Sequence, residues 1–222
     1  MTKVLVTGFE PFGHTPINPA ESVMRVLDGT RIGSAEIYGL LVPNNFFESI
    51  DVVTAAIGEL RPQIVVMLGE YAGRAVITVE RIAQNLNDST RYQLKDNRGV
   101  EMQGEPTIPN GPVAYRSNLP LRAMVKAMRS AGVPTDISDT AATFCCNHLM
   151  YGVLHHIITN QLEIRAGWIH LPQLPQVAAL AENIGTPSMS RETAALGVHA
   201  GIEAALEHTE DIDEAILSKP QI

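Results

Sequence analysis

Apolar runs of strand length alternate along this chain with longer stretches in which apolar residues recur at helical spacing. Residues 64–68 and 164–171 are runs of the first kind, and residues 46–60 and 147–158 are stretches of the second kind. Such alternation is typical of a sheet whose strands are connected by crossover helices. The chain has 222 residues, a length that one α/β domain commonly fills. The sequence therefore predicts an α/β fold in which residues 1–222 form a single domain.

Caps and turn formers divide the chain into elements. Asn18 followed by Pro19 predicts a helix start, and Arg61-Pro62 predicts the end of the preceding helix. Residues 85–120 are polar and rich in Gly and Pro, so they are predicted to be irregular, and a loop of this length is usually functional or mobile. The last dozen residues are predicted to be a weakly packed tail. Further predicted elements are strands over 3–6, 36–42, 76–83 and 137–144 and helices over 18–27, 121–131 and 190–208.

Charge and composition limit the partners of this protein. The formal net charge is -8 and the pI is about 5.3, and no stretch gathers the basic residues that a phosphate backbone requires. No apolar run reaches the roughly 18 residues of a membrane span, and the start of the chain does not resemble a secretion signal. We therefore predict a cytoplasmic protein that binds neither nucleic acid nor membranes. In that compartment its two cysteines, which are adjacent in the sequence, would remain reduced.

These cysteines, Cys145 and Cys146, fall on the turn between a predicted strand and a predicted helix. Unpaired backbone N–H groups at a helix start lower the pKa of a thiol, so the sequence predicts a thiolate near neutral pH. The same N–H groups would stabilise the oxyanion of a tetrahedral intermediate. This segment therefore combines a nucleophile with electrophilic support.

Two other interpretations of the cysteines stay open at this point. Free cysteine is often a buried packing residue, which would explain both side chains without chemistry. A metal site is the second, but its spacing matches no common zinc pattern, and a helix would spread the side chains around its axis. The residues of that hypothetical site are Cys145, Cys146, His148, His155 and His156.

A cysteine nucleophile needs a base and a group that orients it. His170 is the preferred base because it closes an apolar strand at the carboxyl end, where ligand sites form in open α/β sheets. Glu80 is the preferred orienting group, since a carboxylate among apolar residues is costly without a partner. The alternative interpretation of Glu80 is a structural ion pair with Arg74, Arg81 or Arg91. The other candidate bases are His14 in the first loop and the histidines that fall within helices, namely His155, His156, His199 and His208.

Four motifs in order along the chain resemble pyroglutamyl peptidase type I, also called pyrrolidone-carboxylate peptidase. Together they are spread over most of the sequence, and such agreement by chance is improbable. The motifs are Val-Thr-Gly-Phe-Glu-Pro-Phe-Gly over 6–13 with Asn18-Pro19, Thr-Val-Glu-Arg-Ile-Ala over 78–83 with Asn85, Thr-Phe-Cys-Cys-Asn over 143–147, and Gly-Trp-Ile-His-Leu-Pro over 167–172 with Leu174-Pro175.

The resemblance implies a catalytic triad of Glu80, Cys146 and His170, since the family nucleophile directly precedes an Asn, here Asn147. It implies an α/β/α sandwich with a twisted, largely parallel central sheet, commonly assembled as a homotetramer in bacteria. It also implies an enzyme that uses neither metal nor cofactor and acts on peptides with an N-terminal pyroglutamate. Cys145 would then be a packing residue beside the substrate.

The resemblance further implies that Phe9 and Phe12 flank the flat pyrrolidone ring and that Phe144 lies near it. Aromatic faces bury a planar lactam well and reject a charged free glutamate or amine. Two departures concern the same site. Glu70 stands where the family often has a lactam-contacting Gln, and Ala142 stands where a Gly is usual. We expect these changes to affect affinity and specificity more than reaction class.

Three other functions compete with the one that the resemblance implies. A binding domain without catalysis would hold pyroglutamyl peptides but not consume them. A metal-dependent hydrolase would use the Cys and His cluster, and a phosphorolytic enzyme of similar topology would depend on phosphate for its rate.

Overall fold

The computed structural model describes residues 2–13 and 15–218. Its strands are β1 (Thr2–Phe9), β2 (Arg31–Ile32), β3 (Ala35–Val42), β4 (Ile64–Glu70), β5 (Ile77–Glu80), β6 (Ile82–Gln84), β7 (Asn87–Asp88), β8 (Gln103–Glu105), β9 (Ala114–Arg116), β10 (Thr135–Ser138) and β11 (Arg165–Leu171). Its α-helices are α1 (Pro19–Leu27), α2 (Glu48–Leu60), α3 (Leu121–Ser130), α4 (Cys145–Thr159), α5 (Pro175–Ala178) and α6 (Arg191–Glu207).

Seven strands form the central sheet in the order β10-β5-β11-β4-β1-β3-β2. Neighbours run parallel except at two places, where β11 pairs with β5 and β2 pairs with β3 in antiparallel fashion. Two small antiparallel sheets, β6 with β9 and β7 with β8, lie beside it. Because β1, β4 and β11 are parallel to one another, their carboxyl ends meet at one edge, where ligands bind in open α/β sheets.

The sheet is buried on both faces, which explains the nearly continuous apolar runs of its central strands. Side chains alternate along β1, so that Val4 and Val6 join one hydrophobic cluster and Leu5 joins the other. The first cluster includes residues of α1, α3 and α6, and the second includes residues of α2 and α4. Helices therefore cover both faces, and the predicted α/β/α sandwich with a largely parallel sheet is confirmed.

The helix predicted from Asn18 begins as expected. Pro19 is its first residue, and the Asn18 side chain accepts a hydrogen bond from the Ala20 N–H at 2.9 Å. The ends predicted for the helix before Pro62 and for the strand over 164–171 lie within one residue of those in the structure.

Two predicted strands are wrong in their extent. The segment 76–83 is not one strand, because β5 ends at Glu80 and β6 begins at Ile82 in a different sheet. At the break, the Arg81 N–H bonds to the Ser138 carbonyl, and its own carbonyl accepts from the Ser117 N–H. The strand predicted over 137–144 ends at Ser138.

Both irregular regions are anchored at particular residues. Within 85–120, the buried Asp96 accepts the Phe46 N–H at 3.0 Å, and the Tyr151 hydroxyl donates to the Pro112 carbonyl at 2.8 Å. The prediction of a weakly packed tail is confirmed for residues 211–218, none of which is buried, although the Asp211 carboxylate anchors the start of this segment by accepting N–H groups from the first turn of α3. Residues 219–222 of that tail lie outside the described residues. Among the helices of residues 2–13 and 15–218, none has the length and apolar character needed to span a membrane.

Candidate active site

A cavity of about 490 Å³ opens where β1, β4 and β11 end and α4 begins. Every residue that the sequence predicted for catalysis or substrate binding reaches this cavity, except Glu80, which lies behind it in contact with His170. The position agrees with the expectation for parallel strands. The lining residues among the predicted set are Phe9, Phe12, Glu70, Phe144, Cys146 and His170. His14, weighed as a base, lies outside the described residues.

Glu80 and His170 form a buried pair. The His170 Nδ1 lies 2.7 Å from the Glu80 Oε1, and both side chains are almost fully buried. Antiparallel pairing of β11 with β5 produces this contact, because it places His170 opposite Thr78 and Trp168 opposite Glu80. An ionised carboxylate only accepts hydrogen bonds, so Nδ1 carries the proton and Nε2 is left as the basic nitrogen.

The Glu80 carboxylate is held by more than the imidazole. Its Oε1 also accepts from the Thr78 hydroxyl at 2.8 Å and from the Arg74 Nη1 at 2.9 Å. Burial raises the pKa of Glu80, but the charges of His170 and Arg74 and the imidazole hydrogen bond outweigh burial, so the pKa is lowered. The carboxylate is therefore ionised at neutral pH and able to stabilise a protonated His170.

The two interpretations of Glu80 from the sequence are thus not exclusive, because it contacts His170 and forms an ion pair with Arg74. The Arg74 guanidinium lies 3.8 Å from the centre of the Tyr71 ring, and the Tyr71 ring in turn meets His170 edge to face with centroids 5.3 Å apart. Arg81 pairs instead with Asp139 at the surface.

The structure separates the two cysteines. Cys145 is fully buried in the cluster between the sheet and α4, as the packing interpretation requires. Cys146 is partly exposed and lines the cavity. Its Sγ lies beside Gly69, which is registered opposite His170 in the pairing of β4 with β11.

The expected lowering of the Cys146 pKa is wrong. Burial raises the pKa of this thiol, and the carboxylates of Glu80 and Glu70 raise it further. A backbone hydrogen bond at Cys146 and the Arg74 charge act in the opposite direction, but they are the smaller effects. The resting sulfur is therefore a thiol, and a nearby base must remove its proton when the sulfur attacks.

The start of α4 is fixed in place and left open for a ligand. Asn147 is fully buried, accepts the Gln84 N–H at 2.7 Å and donates to the carbonyls of Gln84 and Leu86 at 2.9 and 3.0 Å. Phe144, which precedes the helix, has a side chain that cannot cap the N–H groups of the first turn. Those N–H groups are therefore available to an oxyanion.

The turn that leads into α4 carries a strained residue. Ala142 has a φ of 65°, a conformation that costs an L-residue about 1 kcal/mol and suits Gly. Ala142 also lines the cavity. Ala142 lies three residues before the first residue of α4. The predicted strand over 137–144 stops earlier, at Ser138, because its partner β5 ends at Glu80, which pairs with Ser138.

Aromatic rings form much of the cavity wall. Phe9 packs on Trp168 with centroids 5.6 Å apart, and Phe12 lies 6.1 Å from Phe144. Phe46 supports Phe144 edge to face at 5.7 Å. Phe9 is almost fully buried, whereas Phe12 is half-buried, so both a packing role and a lining role apply to Phe9. The result is an apolar wall that suits a flat, uncharged ring.

The histidines of the hypothetical metal site have other partners. His148 accepts the Phe47 N–H at 2.9 Å and lies 3.1 Å from the Thr107 hydroxyl, while His155 bonds to the Tyr115 hydroxyl at 2.9 Å. Across the part of the chain that the structure describes, no three His, Cys, Asp or Glu side chains converge as metal ligands.

Sequence reasoning missed four contributors to this site. Thr78 had a usable signal, since strand alternation places it on the same face as Glu80. Arg74 was considered only as a competing partner of Glu80, and Tyr71 and Gly69 gave no signal in one sequence, because their roles depend on contacts between segments far apart in the chain.

A thiol at a helix start, an imidazole and an ionised carboxylate around one cavity define an α/β thiol hydrolase. The sequence matches the Pyroglutamyl peptidase family over residues 2–208. It is 60% identical to the pyrrolidone-carboxylate peptidase of Mycobacterium tuberculosis (strain H37Rv) over 222 residues, which is 100% of both chains. The chain belongs to the pyroglutamyl peptidase family, which is a family of cysteine peptidases.

Solved structures agree with this assignment. The pyroglutamyl peptidase I of Bacillus amyloliquefaciens superimposes with a TM-score of 0.91 at 36% identity, covering 96% of this chain and 99% of that one. The pyrrolidone carboxyl peptidase of Thermococcus litoralis gives a TM-score of 0.91 at 33% identity, covering 97% and 100%.

Proposed function

We propose that this protein hydrolyses the bond after an N-terminal pyroglutamyl residue by acyl transfer to the sulfur of Cys146. The observation that carries the proposal is the buried hydrogen bond of 2.7 Å between Glu80 and His170 beneath the cavity that Cys146 lines. An apolar pair would fill the same space at a lower desolvation cost, so packing alone does not explain this buried pair. The Mycobacterium tuberculosis relative, which matches the whole chain, is named as a pyrrolidone-carboxylate peptidase.

In the proposed mechanism, His170 Nε2 takes the proton of Cys146 as the sulfur attacks the pyroglutamyl carbonyl. Glu80 holds the imidazole in the required tautomer and stabilises its charged form. N–H groups at the start of α4 stabilise the oxyanion. His170 then protonates the leaving amine, and water hydrolyses the acyl-enzyme with His170 as the base. The raised pKa of the thiol makes this proton transfer part of the attack.

Phe9, Phe12 and Phe144 provide the proposed contacts to the faces of the pyrrolidone ring. An apolar wall favours the neutral lactam over a charged N-terminal amine, because desolvating a charge without a partner is costly. Glu70 is the polar group proposed to meet the edge of the ring.

Further proposals concern the domain organisation, cofactors, assembly and cellular location of the protein. We propose one domain over residues 1–222 that works without metal or cofactor, and a homotetramer in the cytoplasm. Two free cysteines agree with a reducing compartment. Val113 and Ile184 are 88% and 72% exposed, as apolar side chains at subunit contacts would be in an isolated chain, and light scattering of the purified protein tests the assembly.

Hydrolysis of three anilides tests the proposed activity. We expect the pyroglutamyl anilide to be cleaved and the prolyl and glutamyl anilides to be cleaved at least about 100-fold less efficiently, because they lack the lactam edge or carry an extra charge. Prior alkylation with iodoacetamide should abolish turnover, and a chelator should leave it unchanged.

Each rival function has its own outcome in this assay. Loss of activity on chelation supports a metal-dependent hydrolase, and a rate that depends on phosphate supports a phosphorolytic enzyme. Binding of the pyroglutamyl anilide without turnover supports a binding domain. Any of these three results would contradict the thiol mechanism.

Replacing Gly69 by alanine tests the position of the nucleophile. A Cβ there would lie 2.5 Å from the ring of the fully buried Trp168 and 2.9 Å from the Cys146 Sγ. Since the ring has little room to move, the sulfur must shift, and we expect kcat to fall by about 10- to 100-fold. Gly58→Ala is the matched control, because a Cβ at Gly58 meets nothing within 4 Å. Equal kcat in both variants would contradict the placement.

A further inference from the structure

Glu70 has an unsatisfied oxygen in the cavity. It is the last residue of β4 and lines the cavity together with Cys146 and His170. Its Oε2 is buried, and within the described residues no group hydrogen-bonds to this atom. A buried acceptor without a partner is destabilising, so its presence in a cavity points to a ligand that supplies the missing hydrogen bond.

The nearby charges do not neutralise Glu70. Arg74 is paired with Glu80 and stacked on Tyr71, and no opposing charge in the described part of the chain lowers the pKa of Glu70. Burial raises the pKa of Glu70 to about 7, so a neutral and a charged form coexist near neutral pH. Among the described residues, the titratable and charged groups that line this cavity or act on its thiol, besides Glu70, are Tyr71, Arg74, Glu80, Tyr92, Cys146, His170 and Glu182.

We propose that Glu70 recognises the pyroglutamyl ring as a neutral carboxylic acid, donating its O–H to the lactam carbonyl and accepting the lactam N–H. This inference rests on the proposed function and names the group that selects the ring. A five-membered lactam holds its N–H and its carbonyl on the same side. A protonated carboxyl presents one donor and one acceptor in one plane and is the complement of that edge, whereas a carboxylate offers acceptors alone.

The chemistry of the thiol favours the same form. A charged Glu70 raises the pKa of Cys146 and would oppose the negative charge that develops on the sulfur and the oxyanion. A neutral Glu70 removes that repulsion. Selectivity follows too, because a prolyl ring lacks the carbonyl that accepts the O–H, and an N-terminal glutamyl side chain brings a second carboxylate to the same place.

The test compares wild type with Glu70→Gln, which keeps a donor and an acceptor in one plane but cannot ionise. The probe is 2-pyrrolidone, which neither gains nor loses a proton over the range used. Its Kd is measured by a binding titration from about pH 5.5 to 9, and its Ki is measured against the pyroglutamyl anilide. Glu182→Gln is the matched control, since it removes the same charge from an exposed residue of the same cavity.

In wild type and in Glu182→Gln, the Kd should be flat below pH 7 and weaken by about tenfold per pH unit above it, as the binding form of Glu70 is lost. In Glu70→Gln, the Kd should stay within about threefold of the wild-type value at low pH and remain there up to pH 9. A wild-type Kd that does not change with pH, or a Glu70→Gln profile that matches wild type, would overturn the inference.

The binding titration separates this inference from the proposed function. If no variant hydrolyses the anilide but the Kd profiles differ as expected, the proposed function fails and ring recognition by Glu70 stands. If hydrolysis occurs with matching Kd profiles, the proposed function stands and the role of neutral Glu70 is wrong.

Discussion

Cys146→Ala is expected to lower kcat/KM for a pyroglutamyl anilide by about 10⁴-fold or more, since it removes the only atom that forms the acyl-enzyme. The side chain lies at the cavity and is only partly buried, so its truncation should cost little stability. The measurement is steady-state hydrolysis, with thermal unfolding to confirm that the variant is folded.

The adjacent cysteine provides a matched control. Cys145→Ala makes the same chemical change one residue earlier, in the fully buried cluster. It should destabilise the fold by about 1 kcal/mol, while kcat stays within a few-fold of wild type. Turnover that survives in Cys146→Ala, or that disappears equally in both folded variants, would remove Cys146 from the mechanism.

The fold was predictable where local signals and global packing agree. The Asn18-Pro19 cap and the apolar runs of the central strands each carry their own physical reason. The split between β5 and β6 was not predictable, because β-branched residues stand on both sides of it, at Val79 and Ile82, and no Gly or Pro marks the break. What breaks the strand is a change of partner, since Ile82 pairs with Arg116, and that partner lies in the long irregular segment.

The catalytic candidates were predictable from the sequence, whereas the surrounding groups Arg74, Tyr71 and Gly69 and the electrostatics of the site were not. A carboxylate in an apolar run and a histidine at the end of a buried strand are visible in one sequence. The pKa of Cys146 is not, because the helix start favours the thiolate, while burial and the carboxylates of Glu80 and Glu70 favour the thiol. Those carboxylates come from the strands β5 and β4, and their effect on the thiol pKa depends on tertiary distances.

Glu80→Gln is the second substitution with a large expected effect, a fall in kcat of about 10³- to 10⁴-fold, comparable to the loss of an orienting carboxylate in other triads. The amide keeps the shape but removes the charge that stabilises a protonated His170. It also leaves Arg74 without its ion-pair partner. The expected result is a folded protein with little change in KM and a large loss in kcat.

Its control is Asp139→Asn, which removes a carboxylate from the exposed ion pair with Arg81. Exposed pairs contribute about 0 to 1 kcal/mol, so this variant should keep its activity and stability. Wild-type kcat in Glu80→Gln, measured on protein shown to be folded, would exclude the carboxylate from the mechanism.

Acid stability provides an independent measurement of the same group. The pKa of Glu80 is lowered by His170 and Arg74 against the effect of burial, so the folded protein binds the proton of this carboxyl less tightly than the unfolded chain does. The stabilisation is therefore fully present above the unfolded pKa and is lost as pH falls through the folded pKa. Glu80→Gln should lack this part of the acid-dependent decline, so its melting temperature should fall less steeply with acid than that of wild type. An identical decline in both proteins would mean that folding does not lower the pKa of Glu80, and the proposed stabilisation of a protonated His170 by this carboxylate would then lose its basis.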